Sequence, residues 1–196
     1  MRRDLRLVAN LIEPGSRVLD LGCGEGELLD ELIRHKDCQG TGMEVDPGEV
    51  LKAISKGIAV VEGNVDADLD VFDSNSFDVV VLSRTMQVLQ SPEAVLRQMV
   101  RIAPKLVVSV PNFGWWGNRL RLARGRMPMS KDLPFDWFNS PNIRFTTLVD
   151  LQLLFDAVGL VIEQRTTLAP SGRPLKHRDR LANLLAGAAI YSLRGA

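Results

Sequence analysis

Residues 20–29, DLGCGEGELL, place three glycines, Gly22, Gly24 and Gly26, within five positions. They follow a strand-like run, SRVLD, and lead into a helix-like run, ELLDELIRH. Glycine tolerates positive φ and lets a ligand approach the backbone closely. A turn that delivers such residues to a helix N-terminus offers free N–H groups and the positive end of the helix dipole to a negative group. A pyrophosphate-binding turn of this kind reads GxGxxG, its third glycine allowing close helix–strand packing. Here the spacing is GxGxG, and Glu27 stands where the third glycine would be. The phosphate-cradling pattern GxxxxGK(S/T) is also absent from the sequence. The turn therefore reads as a ligand loop without a phosphate signature.

Proton transfer needs a base within reach of the reacting group, and the chain is poor in bases. His35 falls at the end of the first long helix-like segment, His177 in the last long connection, and the lone tyrosine, Tyr191, in the last strand-like run. Each is expected to be structural or solvated. Asp132 and Asp136 are the nearest candidate carboxylates. There is no GxSxG nucleophile elbow and no suitably placed Ser–His pair. Cys23 and Cys38 form no CxxC pair, which argues against a metal site or a disulfide framework and for reduced thiols. Recognition-type side chains concentrate in residues 112–145. All three tryptophans are there (Trp115, Trp116, Trp137), with Phe135, Phe138, Arg119, Arg121, Arg124 and Arg126. Trp and Arg are enriched in interface hot spots. The rings are suited to flooring a substrate pocket, packing on the core, or docking a partner. In the plainer reading, Leu120, Ala123 and Met127 stand at helical spacing on an amphipathic helix with a solvated basic face.

The elements that must position these residues alternate. Strand-like runs fall at 17–22, 40–45, 58–63, 77–83, 105–111, 160–168 and 188–194. Helix-like runs fall at 27–35, 47–57, 91–103 and 146–159. Asp46 and Ser91 are candidate N-caps, each followed by proline at the first helical position. Such alternation predicts an α/β fold with a doubly wound, mostly parallel sheet of about seven strands. Ligands of such sheets bind at the carboxyl ends of the strands. The segment 112–145 leaves from that edge and is expected to cover the site. The length of 196 residues suits one domain, 1–196. The formal net charge is zero, so nothing global steers the chain to nucleic acid or an anionic membrane. The N-terminal run MRRDLRLVANLIEPG lacks a signal-peptide pattern, and LANLLAGAAIYSL is shorter than the roughly 18 residues of a spanning helix. A cytoplasmic location is expected.

VLDLGCGEG resembles the first motif of class I S-adenosylmethionine (SAM)-dependent methyltransferases. GTGMEVDP resembles the end of their second strand, and FDVVVLSRTMQVL their fourth strand with its loop. SAM carries a carboxylate and an ammonium group but no phosphate, in keeping with the turn. The resemblance implies that SAM or S-adenosylhomocysteine binds at Asp20, Gly22, Gly24, Gly26, Glu44, Val45, Asn64, Val65 and Ser83. Asp20 would orient the methionine end. Glu44, 22 residues after Gly22, would accept from the ribose hydroxyls. Val45 would lie against adenine, and the Ser83 carbonyl would meet the ammonium group. Asn64 stands where the family usually has Asp, which keeps an acceptor but no charge. The motif (N/D)PP(Y/F) of nucleic-acid amino-methyltransferases is absent.

Longer blocks are more specific. SVPNFGWWGNRLRLARGRMP, LPFDWFNSPNIRFTT and LSRTMQVLQSPEAVLRQMVRIA closely resemble the MetW family of methionine-biosynthesis proteins. This likeness extends over nearly the whole chain. It implies a SAM-binding, methyltransferase-like protein that partners homoserine O-acyltransferase, an acetyl- or succinyltransferase, and supports or regulates it. Arg84, Trp115, Trp116, Arg119, Arg121 and Trp137 are the candidate partner or substrate residues. Arg84 replaces the family's usual Gln and adds a charge at the mouth of the site. The alternative is a SAM-dependent methyltransferase acting on an unidentified small molecule. A nicotinamide-dependent oxidoreductase is disfavoured by Glu27.

Overall fold

The computed structural model describes residues 2–130, 133–175 and 181–196. His177 and Asp132 lie outside the described residues. Seven strands form one sheet: β1 (Arg17–Leu21), β2 (Gln39–Glu44), β3 (Ala59–Glu62), β4 (Val79–Ser83), β5 (Lys105–Pro111), β6 (Leu160–Leu168) and β7 (Ala188–Gly195). Their order is β3-β2-β1-β4-β5-β7-β6. The first five run parallel, whereas β7 is antiparallel to both β5 and β6. Every expected strand is present, and the sheet is the doubly wound, mostly parallel one that the alternation predicts.

The sheet divides the core by strand periodicity, because successive side chains point to opposite faces. Leu19, Val80, Leu82, Leu106, Val108 and Tyr191 face one layer. That layer is closed by α4 (Pro92–Ile102) and α6 (Leu148–Ala157), through Leu96, Met99, Leu151 and Phe155. Val18, Val79, Val81, Val107 and Ile190 face the other layer. It is closed by α1 (Arg3–Ala9), α2 (Glu27–Lys36) and α3 (Pro47–Ser55). Tyr191 is fully buried, its ring 5.2 Å from that of Phe155. Burial pushes its phenol up to about 12. It is a structural residue, as expected. His35 stays in solvent on the last turn of α2, its Nδ1 3.8 Å from a carboxylate oxygen of Glu31. Asp136 lies in a turn, where its carbonyl accepts from Asn139 N.

Helix starts follow local chemistry in two cases and distant chemistry in a third. The Asp46 side chain accepts from Gly48 N at 2.7 Å and Glu49 N at 3.1 Å, capping α3 as expected. Thr147 accepts from Asp150 N at 3.3 Å and caps α6. Ser91, the candidate cap of α4, makes no side-chain cap bond. The Asp66 carboxylate, far back in the chain, instead anchors the entry to this helix by accepting from Gln90 N at 2.9 Å and Ser91 N at 2.8 Å. Helix α1 was not expected, because the basic, interrupted N-terminal run gives it little local signal. Packing supplies what propensity lacks: Leu5 and Val8 are buried, and Lys36 Nζ donates to the Ala9 and Ile12 carbonyls. Among the described residues no helix is long and apolar enough to cross a membrane.

Candidate functional site

The glycine turn joins β1 to α2, and Gly22, Gly24 and Gly26 all take left-handed φ, at 75°, 55° and 77°. At two of them a side chain would collide with a neighbour. A Cβ on Gly22 would lie 2.6 Å from Thr85 Oγ1, and one on Gly26 2.3 Å from Ile58 Cδ1. The turn is tied to the end of β2: Gly22 N and Cys23 N donate to the Met43 carbonyl at 2.8 and 3.2 Å. Glu44 completes the tie. One of its oxygens accepts from Gly24 N at 2.8 Å, and the other from Val45 N at 2.8 Å and Asp46 N at 3.0 Å. Glu44 thus shapes the turn as well as standing at its edge, a role that spacing does not reveal.

Two cavities share Gly22, Arg84 and Thr85 in their walls. One, of about 370 Å³, is lined by Arg2, Leu5, Asp20, Gly24 and Ser83 among others. The second, of about 400 Å³, is lined by Glu44, Val45, Asn64, Val65 and Asp66 among others. Of the nine expected cofactor residues, only Gly26 lies outside both walls; it sits behind the turn against Ile58. Val45 is exposed, whereas Val65 belongs to the core. The Asn64 side-chain oxygen accepts from Asp66 N at 3.0 Å.

The charges of the first cavity are unusual. Asp20 is buried, and its Oδ1 has no hydrogen-bond partner among the described residues. Burial, reinforced by the nearby Glu44 carboxylate, raises its carboxyl to about 7. Burial also pushes the Cys23 thiol up to about 12, helped by Asp20 and Glu44, so Cys23 is no nucleophile. Arg84 holds a left-handed φ of 58°, sparsely populated for a side chain of its size. Its N donates to the Ser109 carbonyl at 3.0 Å, and its Nε lies 2.7 Å from Oδ2 of the buried Asp4. Helix α1 and the residue before it therefore bring Arg2 and Leu5 to the cavity wall and Asp4 to Arg84, none of which sequence reasoning proposed.

The segment 112–145, expected to cover the site, has its described residues elsewhere. Neither cavity at the glycine turn draws its lining from the described residues of this segment. Phe113, Leu133, Ile143 and Phe145 instead help to wall a third cavity, of about 430 Å³, beyond the ends of β4 and β5. Helix α5 (Trp116–Ala123) buries Asn118 rather than an apolar stripe. Asn118 Nδ2 donates to the Asn112 and Phe113 carbonyls, and Asn112 Nδ2 to those of Asn183 and Ala186. The Trp115 ring lies over Gly117, half-buried. Trp116, Trp137 and Phe138 are open to solvent, Trp137 to 75% and Phe138 to 70%. Arg119 donates to the Gly114 carbonyl and Arg121 to that of Met127.

A glycine turn after the first strand, an acid closing the second and an antiparallel seventh strand define the fold of the class I SAM-dependent methyltransferases. A SAM-dependent methyltransferase from Mesorhizobium loti superposes with a TM-score of 0.72 at 18% identity, covering 98% of each chain. The magnesium protoporphyrin IX methyltransferase of Synechocystis, solved with bound S-adenosylhomocysteine, superposes with a TM-score of 0.67 at 15% identity, over 97% of this chain and 79% of that one. Within this fold the chain belongs to the MetW family, whose model, described as methionine biosynthesis protein MetW, matches residues 2–193. The bifunctional methionine biosynthesis protein MetXA/MetW of Rhodopirellula baltica is 32% identical over 173 residues. The match takes in 82% of this chain and 27% of that protein, so the chain spans about a quarter of its relative's length.

Proposed function

We propose that this chain is a cytoplasmic, SAM-binding subunit of one domain that supports or regulates homoserine O-acyltransferase in methionine biosynthesis. The observation that carries the reading is the relative that joins MetXA and MetW in a single polypeptide. We take its MetXA part to be the acyltransferase, so fusion there corresponds to association here. The transferred group is acetyl or succinyl, and acyl transfer belongs to the partner.

The site fits the cofactor on three counts. The turn excludes a Cβ at Gly22, leaving backbone for a ligand to approach. The buried Asp20 Oδ1 has no partner among the described residues and suits the methionine ammonium group, directly or through water. Glu44 engages three backbone N–H groups. A carboxylate has about four acceptor positions, so one remains for a ribose hydroxyl. When bound, SAM supplies a sulfonium-linked methyl group; the residues of this chain bind and orient it. Trp116, Trp137 and Phe138, with Arg119 and Arg121 of the same segment, are the residues we assign to acyltransferase docking. Exposed rings beside arginines are the composition of binding hot spots.

The test is the rate of homoserine acylation by the acyltransferase of the same organism, with and without this chain, at zero and saturating SAM. A rate that changes on adding the chain supports the reading, and a further change with SAM makes the cofactor an effector. A rate that never changes sinks it and returns the chain to the methyltransferase alternative.

A further inference from the structure

The third cavity is distinct from the two at the glycine turn, and its walls suit a different ligand. Its volume, about 430 Å³, is that of a small-molecule site. Met86, Val110, Phe113, Leu133, Phe145 and Leu151 make it largely apolar. Two polar side chains stand out. Arg144 is the single charged residue among the described lining residues, and no carboxylate accompanies it. Gln87 is the other. Its Nε2 donates to the Arg84 carbonyl, which fixes the amide's orientation because a carbonyl can only accept. Its Oε1 is thereby aimed away from Arg84, and it is buried with no hydrogen-bond partner among the described residues. A buried acceptor without a donor is costly, and a ligand that brings the donor removes the cost. The Gln87 backbone also holds the rim, its carbonyl accepting from Ile143 N at 2.9 Å and Arg144 N at 3.0 Å.

We propose that this cavity binds a small aliphatic carboxylate bearing a hydroxyl or amide N–H. The donor meets Gln87 Oε1, the carboxylate meets Arg144, and the chain fills the apolar remainder. An apolar body with one or two convergent polar contacts is the common pattern of such sites. The described lining residues include no histidine, acid, tyrosine or lysine to take a proton. The ligand is therefore held rather than transformed. This assignment stands independently of SAM binding and of the acyltransferase.

The test is calorimetric titration of the full chain with 2-hydroxyhexanoate, hexanoate and 1,2-hexanediol. The hydroxy acid is expected to bind roughly tenfold more tightly than either compound that lacks one of its two groups. Gln87→Leu should erase its advantage over hexanoate, and Arg144→Gln its advantage over the diol. Arg144 is exposed, so that variant keeps the test open if the Gln87 variant fails to fold. The ε-methyl resonance of Met86, in the cavity wall, should shift as the hydroxy acid saturates. Equal affinities for all three compounds, no saturable binding, or an unmoved Met86 resonance would overturn the proposal. So would release of S-adenosylhomocysteine when SAM and the hydroxy acid are mixed, since that marks a methyl acceptor.

Discussion

Asp20 sits in the first cavity with its proton nearly balanced against solution. An unfolded Asp ionises near 3.8, whereas the buried carboxyl does so near 7. The unfolded chain therefore gives up this proton first. The associated stability is complete below about pH 4 and is lost as pH rises through about 7. Asp20→Asn removes the penalty, so at pH 8 the variant should melt on the order of 10 °C above the parent, a gap that closes by pH 4. The same variant should bind SAM more weakly. Thermal melts across pH with a SAM titration check both; a variant that melts lower at pH 8 contradicts the buried-charge account. At this scale sequence reasoning saw what is local. Gly22, Gly24, Gly26 and Glu44 announce themselves by spacing. Thr85, which fills the space a Gly22 side chain would need, and Gln87, whose amide ties the third cavity to the Arg84 backbone, acquire their roles only when β4 lies beside β1.

Helix ends show the same division. Asp46 was legible because it caps the helix that follows it. Ser91 was misleading: its side chain makes no cap bond, and it is the backbone at the helix entry, Gln90 N and Ser91 N, that is anchored, by Asp66 from across the chain. Ser91→Ala should thus change stability by less than about 0.5 kcal/mol, whereas Asp66→Ala should cost about 1–3 kcal/mol by stranding two backbone donors. Urea melts of the two variants decide it, and the reverse order would restore Ser91 as the cap. Helix α1 was invisible to periodicity and is held by tertiary contacts, among them the Asp4–Arg84 ion pair at 2.7 Å. Asp4→Asn should loosen it by about 1–3 kcal/mol, since it removes the buried carboxylate of that pair. The reading is faster amide exchange in residues 3–9 with β1 and β4 unaffected. Unchanged exchange would show that Leu5 and Val8 suffice. In α5 the expected apolar stripe proved to be a polar anchor, Asn118, because the backbone carbonyls of Asn112 and Phe113 needed donors more than the core needed volume.

For the molecule as a whole, seven short apolar runs separated by helical ones were enough to anticipate the sheet, since burial on both faces leaves a continuous hydrophobic signature. The antiparallel setting of β7 was not legible, as strand direction depends on the path of the connection before it. That setting has a practical consequence. β7 begins at Ala188, beside Pro111 at the ligand-binding edge, and ends at Gly195, level with Lys105 and Leu160 at the opposite edge. Ala196 N donates to the Gly159 carbonyl there, at 2.9 Å. Arg2, by contrast, lines the cavity at the glycine turn. An affinity tag or sensor-chip linkage attached after residue 196 should leave SAM affinity unchanged, whereas the same group ahead of residue 2 should weaken it severalfold. Matched biosensor titrations of the two fusions would show this. Coupled through residue 196, the protein would present its ligand-binding edge away from the support, ready for use as an immobilised receptor.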